Sequence, residues 1–231
     1  MNNDSPFIDA HTHKIPTSNI IAIVNILLRR DDNHNEEPLI SSNVNQVTYF
    51  SVGIHPWYLE NWEKSIDRLE EIANVPKVLA IGECGLDRTR ETPFDRQKQA
   101  FLTQISVSEN LKKPVIVHCV KAYSELIQLR KQAKATKPWI IHGFNNNLEV
   151  AQKCIENGMM LSFGRSLLYN TKLAEVIKLM NLNNFLLETD ENEVPIEEIY
   201  TKCADIKAIS VKQLKLELSQ NFNKLFNNVT S

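Results

Sequence analysis

The chain has 231 residues, 42% of them hydrophobic and 23% charged, which supplies enough apolar material for one compact domain with a sizeable core. Its 26 basic and 28 acidic side chains leave a formal net charge of −2, so no global positive field exists to draw in long polyanions, and any nucleic-acid contact has to be local. Residues 1–6 are polar with no basic stretch leading into an apolar segment, and no apolar run approaches membrane-spanning length, so a cytoplasmic protein without a membrane partner is expected.

Runs rich in Val, Ile, Leu and Phe recur in chain order at 7–10, 20–27, 47–52, 78–81, 115–117, 139–141, 160–163 and 185–187. Helical apolar spacing lies between the later runs, at 62–73, 93–110, 122–133, 148–157 and 171–180. Gly158 stands where a left-handed C-cap belongs, and Pro114 and Pro138 stop a helix directly before a strand. Strands alternating with helices predict an α/β protein, and eight strands point to a closed TIM-type (β/α)8 barrel in a single domain over 1–231. The early part is trimmed: residues 29–46, rich in Asp, Asn and Glu, read as a long loop rather than a barrel helix. Leu214, Leu218, Phe222, Leu225 and Phe226 form a helical stripe in the tail at 210–228, expected to close one side of the barrel. Cys84, Cys119, Cys154 and Cys203 are scattered without paired metal-finger spacing and read as buried free thiols.

Five of the six histidines fall at or just past the C-terminal end of a predicted strand; His34 alone does not. His11 and His13 follow the first run, His55 the third, His118 the fifth and His142 the sixth, with Glu83 at the end of the fourth and Asp190 just past the eighth. In a parallel barrel those ends converge on the face where active sites are built. Two residues apart on extended backbone, His11 and His13 point the same way and can share one cation. Glu83 sits between Gly82 and Gly85 after an apolar strand; a buried carboxylate there must pair with Arg or meet metal, and a bridging position between two ions is expected. Either His118 or His142 alone reads as an ordinary core histidine, and Asp190 alone as a turn or cap residue. Together the six make two nitrogen- and oxygen-rich sites suited to two divalent ions such as Zn, Mn or Mg, whose identity the ligand types leave open. Such a pair lowers the pKa of a bridging water, with Asp190 placed as general base and Glu83 as the group whose loss removes most of the rate.

The ordered motifs Asp9-Ala10-His11-Thr12-His13, Gly53-Ile54-His55-Pro56, Ile81-Gly82-Glu83-Cys84-Gly85-Leu86-Asp87, Pro114-Val115-Ile116-Val117-His118, Ile141-His142-Gly143-Phe144, Leu187-Glu188-Thr189-Asp190 and Asn223-Lys224-Leu225-Phe226 resemble those of the TatD-related metal-dependent hydrolases, within the wider amidohydrolase-like barrels. The resemblance implies that His11, His13 and Asp190 hold one ion and His118 and His142 the other, with Glu83 between them. It also implies that His55 lies near the site without being a usual ligand, so His55, and Asp87 with it, are taken as groups that touch substrate or support a ligand. The chain departs from the family pattern where Lys14 and Ile15 follow the paired histidines, where Glu191 and Asn192 follow Asp190, and in a short segment before the tail helix that lacks a basic loop. These departures describe a shortened member and touch the substrate contacts rather than the ligands.

The expected activity is therefore hydrolysis of a phosphodiester at a nucleic-acid end, with single-stranded DNA ends or another small phosphodiester or ester as partner, engaged at one end rather than wrapped. A two-metal carboxylic-ester or amide hydrolase, for example an aminoacyl-ester deacylase, is the alternative enzyme, since the same ions polarise a carbonyl. A catalytically silent metal-binding barrel is the alternative of another class. The expected assembly is a monomer or weak homodimer, because loss of early helices leaves apolar outer wall to be covered by the tail or a second copy.

Overall fold

The computed structural model describes residues 5–16, 20–29 and 47–226. Eight strands, β1 (Ile8–Thr12), β2 (Ile21–Leu27), β3 (Thr48–Gly53), β4 (Val78–Asp87), β5 (Val115–Val120), β6 (Trp139–Ile141), β7 (Met159–Phe163) and β8 (Phe185–Leu187), pair in parallel in the order of the sequence. Residues of β1, β6 and β8 are buried throughout, the burial on both faces that continuous apolar runs predict for a parallel sheet covered by helices. The barrel closes through Asp190, whose N–H donates to the His11 carbonyl at 2.9 Å and whose carbonyl accepts from the His13 N–H at 3.2 Å. This is the TIM-type arrangement that the alternation of elements predicts.

The outer helices are α1 (Ile66–Ala73), α2 (Phe94–Leu111), α3 (Tyr123–Ala133), α4 (Leu148–Glu156), α5 (Thr171–Leu179), α6 (Ile196–Lys207) and α7 (Val211–Leu225). Side-chain oxygens of Asn147, Asn170 and Ser210 accept from the first free N–H groups of α4, α5 and α7 and fix where those helices begin. Gly158 takes φ +74° after α4, the left-handed position expected of it. The stretch 62–73 splits into a 3-10 turn (Trp62–Ser65) and α1. All four cysteines are buried free thiols.

The tail helix α7 packs against β1 and β8, where Phe222, Leu225 and Phe226 join Ile8, Ala10, Ile21 and Leu186 in one buried cluster. It covers the β1 side of the wall, and among the described residues between β1 and β2 none is helical. The loop expected at 29–46 lies outside the described residues except for Arg29, as do His34 and the end of the tail.

Two differences from the sequence reading bear on the site. Helix α6 occupies the short segment before the tail; Ile196, Ile199, Tyr200 and Cys203 bury a stripe at helical spacing, and the Tyr200 hydroxyl accepts from the Ile8 N–H and donates to the Ile8 carbonyl, both at 3.2 Å. Strands β4 and β5 run on to Asp87 and Val120, so Glu83 and His118 lie inside strands rather than past their ends. The reason is the close approach of the two strands: a Cβ on Gly82 would stand 2.3 Å from the Ile116 carbonyl oxygen, and one on Gly85 2.0 Å from that of His118. Pairing therefore continues through a glycine-bearing stretch that reads, in sequence, as a strand end.

Candidate metal centre

Five imidazoles and two carboxylates converge at the C-terminal mouth of the barrel, and all but His11 line a cavity of about 100 Å³. Glu83, only 4% exposed, is the hub. Its Oε1 lies 3.0 Å from His55 Nε2, 2.8 Å from His118 Nδ1 and 2.7 Å from His142 Nε2; its Oε2 lies 3.5 Å from His11 Nε2 and 3.6 Å from His13 Nε2. Asp190 Oδ1 faces the same pair, 3.7 Å from His11 Nε2 and 3.5 Å from His13 Nε2. Asp190 stands at φ +57°, a conformation Asp tolerates better than most residues, so the residue that closes the barrel also presents its carboxylate to the paired histidines.

Glu83 is held from below by Asn25 of β2, whose Oδ1 accepts the Glu83 N–H at 2.9 Å and the Ser51 hydroxyl at 3.1 Å, while its amide donates to Glu83 Oε2 at 3.4 Å. Burial works against charge on Glu83, but the surrounding histidines, His142 foremost, overcome it and keep the carboxyl well below its usual range. Burial equally opposes charge on His142, yet Glu83 and Glu188 hold its imidazole well above the ordinary value. Burial raises the Asp190 carboxyl, and it pushes Asp9, beneath the site and bonded to the Thr189 N–H and hydroxyl, up to about 7. The pocket is rich in carboxylate and attracts positive charge, which a proton or a cation can supply.

The hydrogen bonds behind each ring sort its nitrogens. Asp87 Oδ2 lies 3.3 Å from His118 Nε2; burial opposes the charge on Asp87, but bonds from Thr89, Trp57 and His118 hold its carboxyl down to about 2. An ionised Asp87 accepts a proton held on His118 Nε2, and in that tautomer Nδ1, 2.8 Å from Glu83 Oε1 and 3.3 Å from His142 Nε2, is the nitrogen free to meet a cation. Glu188, fully buried, accepts the Gly143 N–H at 2.5 Å and stands 3.6 Å behind His142 Nδ1, leaving Nε2 of that ring turned inward. His55 is different. Its Nδ1 accepts the Trp57 N–H at 3.2 Å, so the neutral ring carries its proton on Nε2 and donates to Glu83. Burial keeps that ring neutral by lowering its pKa. His55 thus supports Glu83 rather than offering a lone pair.

Both ring nitrogens of His11 are buried without a hydrogen-bond partner, which is costly for a polar group unless something else satisfies it. His11, His13 and Glu83 bring ligand atoms within 4.8 Å of one another, as do His11, His142 and Asp190, and His55, Glu83 and His118. Nitrogen and oxygen donors of this kind fit divalent cations of the Zn, Mn or Mg type.

The structure brings together all six residues expected as ligands, with His55 against Glu83 and Asp87 behind His118. Sequence reading missed Asn25, Glu188 and Trp57, whose indole N–H donates to Asp87 at 2.8 Å. Signals existed for the first two: Asn25 is the one polar residue in an apolar strand, and Glu188 directly follows another.

A family model described as TatD related DNase matches residues 2–227. The chain belongs to this family. Among similar proteins, a metal-dependent hydrolase of Buchnera aphidicola is 28% identical over 79% of this chain and 76% of its own length. The 3'-5' ssDNA/RNA exonuclease TatD of Escherichia coli K12 is 29% identical over 61% of this chain and 56% of its own length. The solved structure of a TatD homologue from Escherichia coli K12 superposes with a TM-score of 0.83 at 23% identity, covering 96% of this chain and 98% of that one, and so shares its fold. The TatD-family chain is a metal-dependent hydrolase by this membership and by the donor cluster its barrel assembles. Among the described residues no helix is long and apolar enough to cross a membrane.

Proposed function

We propose that this hydrolase uses two divalent cations to cleave phosphodiester bonds at single-stranded nucleic-acid ends. His11, His13 and Asp190 would hold one ion and His118 and His142 the other, with Glu83 available to both. The observation that carries the reading is Glu83 itself, a buried carboxylate whose two oxygens each face a different set of imidazoles. Cations bound there supply an acidified water and withdraw charge from the phosphoryl oxygens.

The chain's own groups do the rest. Asp190, with a third of its side chain open to solvent, accepts the proton of the attacking water at its exposed carboxylate. Asp87 and Glu188 fix which nitrogens of His118 and His142 face the centre, and Asn25 fixes the hub. With a net charge of −2, the surface favours a strand end over a wrapped duplex, and a relative of similar sequence is named for single-strand exonuclease activity.

The test is removal of nucleotides from an end-labelled oligonucleotide by protein loaded with Mn, Mg or Zn, with Glu83→Gln as control. Turnover that collapses in E83Q is expected. Turnover of carboxyl esters or amides with none of the oligonucleotide overturns the phosphodiester reading, and no turnover of any of these substrates overturns hydrolysis.

A further inference from the structure

One aromatic residue at the mouth of the site is left open. Trp57 is 40% exposed, whereas Trp62 and Trp139 are 7% and 0% exposed. Its ring stands edge-on to His55 and His118, with centroids 4.8 and 5.8 Å away, so it forms the wall directly beside the candidate centre. The Arg90 guanidinium lies over the indole at 3.5 Å, with its Nε 3.7 Å from Asp87 Oδ2. Across the same rim, Arg29 lies over Tyr58 at 4.0 Å. Both arginines are exposed. Two cations are thus stacked on two aromatic rings at the entrance of the centre.

Trp57 also lines a second cavity, of about 420 Å³, that continues away from the centre past Asn61 and Thr92 to Arg96. Arg96 donates to the Leu59 carbonyl at 3.1 Å and lies 3.7 Å from Glu63, and the exposed Glu60 also lines the groove. One residue therefore joins the place where a bond is cut to a groove that can take the chain leading up to it.

We infer that Trp57 and Arg90 form a nucleotide subsite. A base of a single-stranded polynucleotide stacks on the Trp57–Arg90 pair, Arg90 and Arg29 meet phosphates flanking the scissile bond, and the upstream strand follows the groove toward Arg96. The inference rests on the phosphodiester reading above and adds to it the residues that hold the strand. A stacking aromatic paired with arginine holds any base by its face, which gives affinity for single strands without sequence preference. It explains how a chain with a net charge of −2 keeps hold of a polyanion, by placing cations at the rim where the strand enters.

Because Trp57 is the exposed one of the three tryptophans, intrinsic fluorescence reports it directly. A hydrolysis-resistant phosphorothioate oligothymidylate titrated into the metal-loaded protein should quench that fluorescence saturably. Trp57→Ala should weaken binding of the same labelled strand, followed by anisotropy, by roughly tenfold or more. Trp57→Phe keeps a stacking ring but loses the indole bond to Asp87, so it should recover most of the affinity. Absent quenching, or W57F as weak as W57A, overturns the subsite. Turnover of bis(para-nitrophenyl) phosphate by the unaltered protein separates the two readings. Turnover without quenching ends the subsite alone, whereas quenching without turnover of any phosphodiester supports the subsite and ends the hydrolytic reading.

Discussion

Asp87→Asn isolates the group that orients His118 while preserving the shape of the side chain. In the native site Oδ1 accepts the Thr89 N–H at 2.8 Å and its hydroxyl at 2.5 Å, and Oδ2 accepts the Trp57 indole at 2.8 Å and faces His118 Nε2 at 3.3 Å. An asparagine can keep the Thr89 bonds through its oxygen, but its NH₂ then faces two donors. His118 satisfies that amide only by accepting on Nε2, which moves its proton to Nδ1 and removes the lone pair that a cation beside Glu83 and His142 would take. Loss of such a supporting carboxylate lowers metal affinity or rate by about 10- to 100-fold. The fold itself should lose about 1 kcal/mol, for the indole N–H left partly unpaired at a half-open position. Competition with a chromogenic chelator measures the first effect, and urea denaturation of metal-free protein the second. Metal affinity within about twofold of the native protein would refute the role given to Asp87.

Two further outcomes follow from the packing. Asn25→Leu leaves the Glu83 N–H buried without its acceptor and should cost about 1–3 kcal/mol in urea denaturation while also lowering the rate, whereas equal stability would show that the hub does not depend on β2. Phe222→Ala opens the cluster that α7 shares with β1 and β8 and should cost about 3–5 kcal/mol, and a loss under about 1 kcal/mol would show that the tail does not close the barrel wall.

The barrel was legible because each strand is a short apolar run and each outer helix carries its own stripe, signals that are local in sequence. The six candidate ligands were legible for a related reason, since a polar residue at the end of an apolar parallel strand has few structural uses. Helix α6 carries an equally regular stripe, Ile196, Ile199, Tyr200 and Cys203, but Glu197, Glu198, Lys202, Asp205 and Lys207 surround it and make the segment read as a polar connection. The lengths of β4 and β5 were hidden because Gly82 and Gly85 look like punctuation, and only the approach of the neighbouring strand shows that they are what pairing requires. Asn25, Asp87 and Glu188 act through residues 58, 31 and 46 positions away, and such partners emerge only once the strands are side by side. Trp57 follows the His55 motif directly, yet its exposure and its shared place between two cavities are properties of the folded surface.

The most direct test of the account is anomalous diffraction from crystals grown with Mn. Two peaks about 3.5–4 Å apart, one beside His11, His13 and Asp190 and the other beside His118 and His142, with Glu83 touching both, are the predicted result. Density lying away from Glu83, or an empty barrel mouth at saturating Mn, would contradict it.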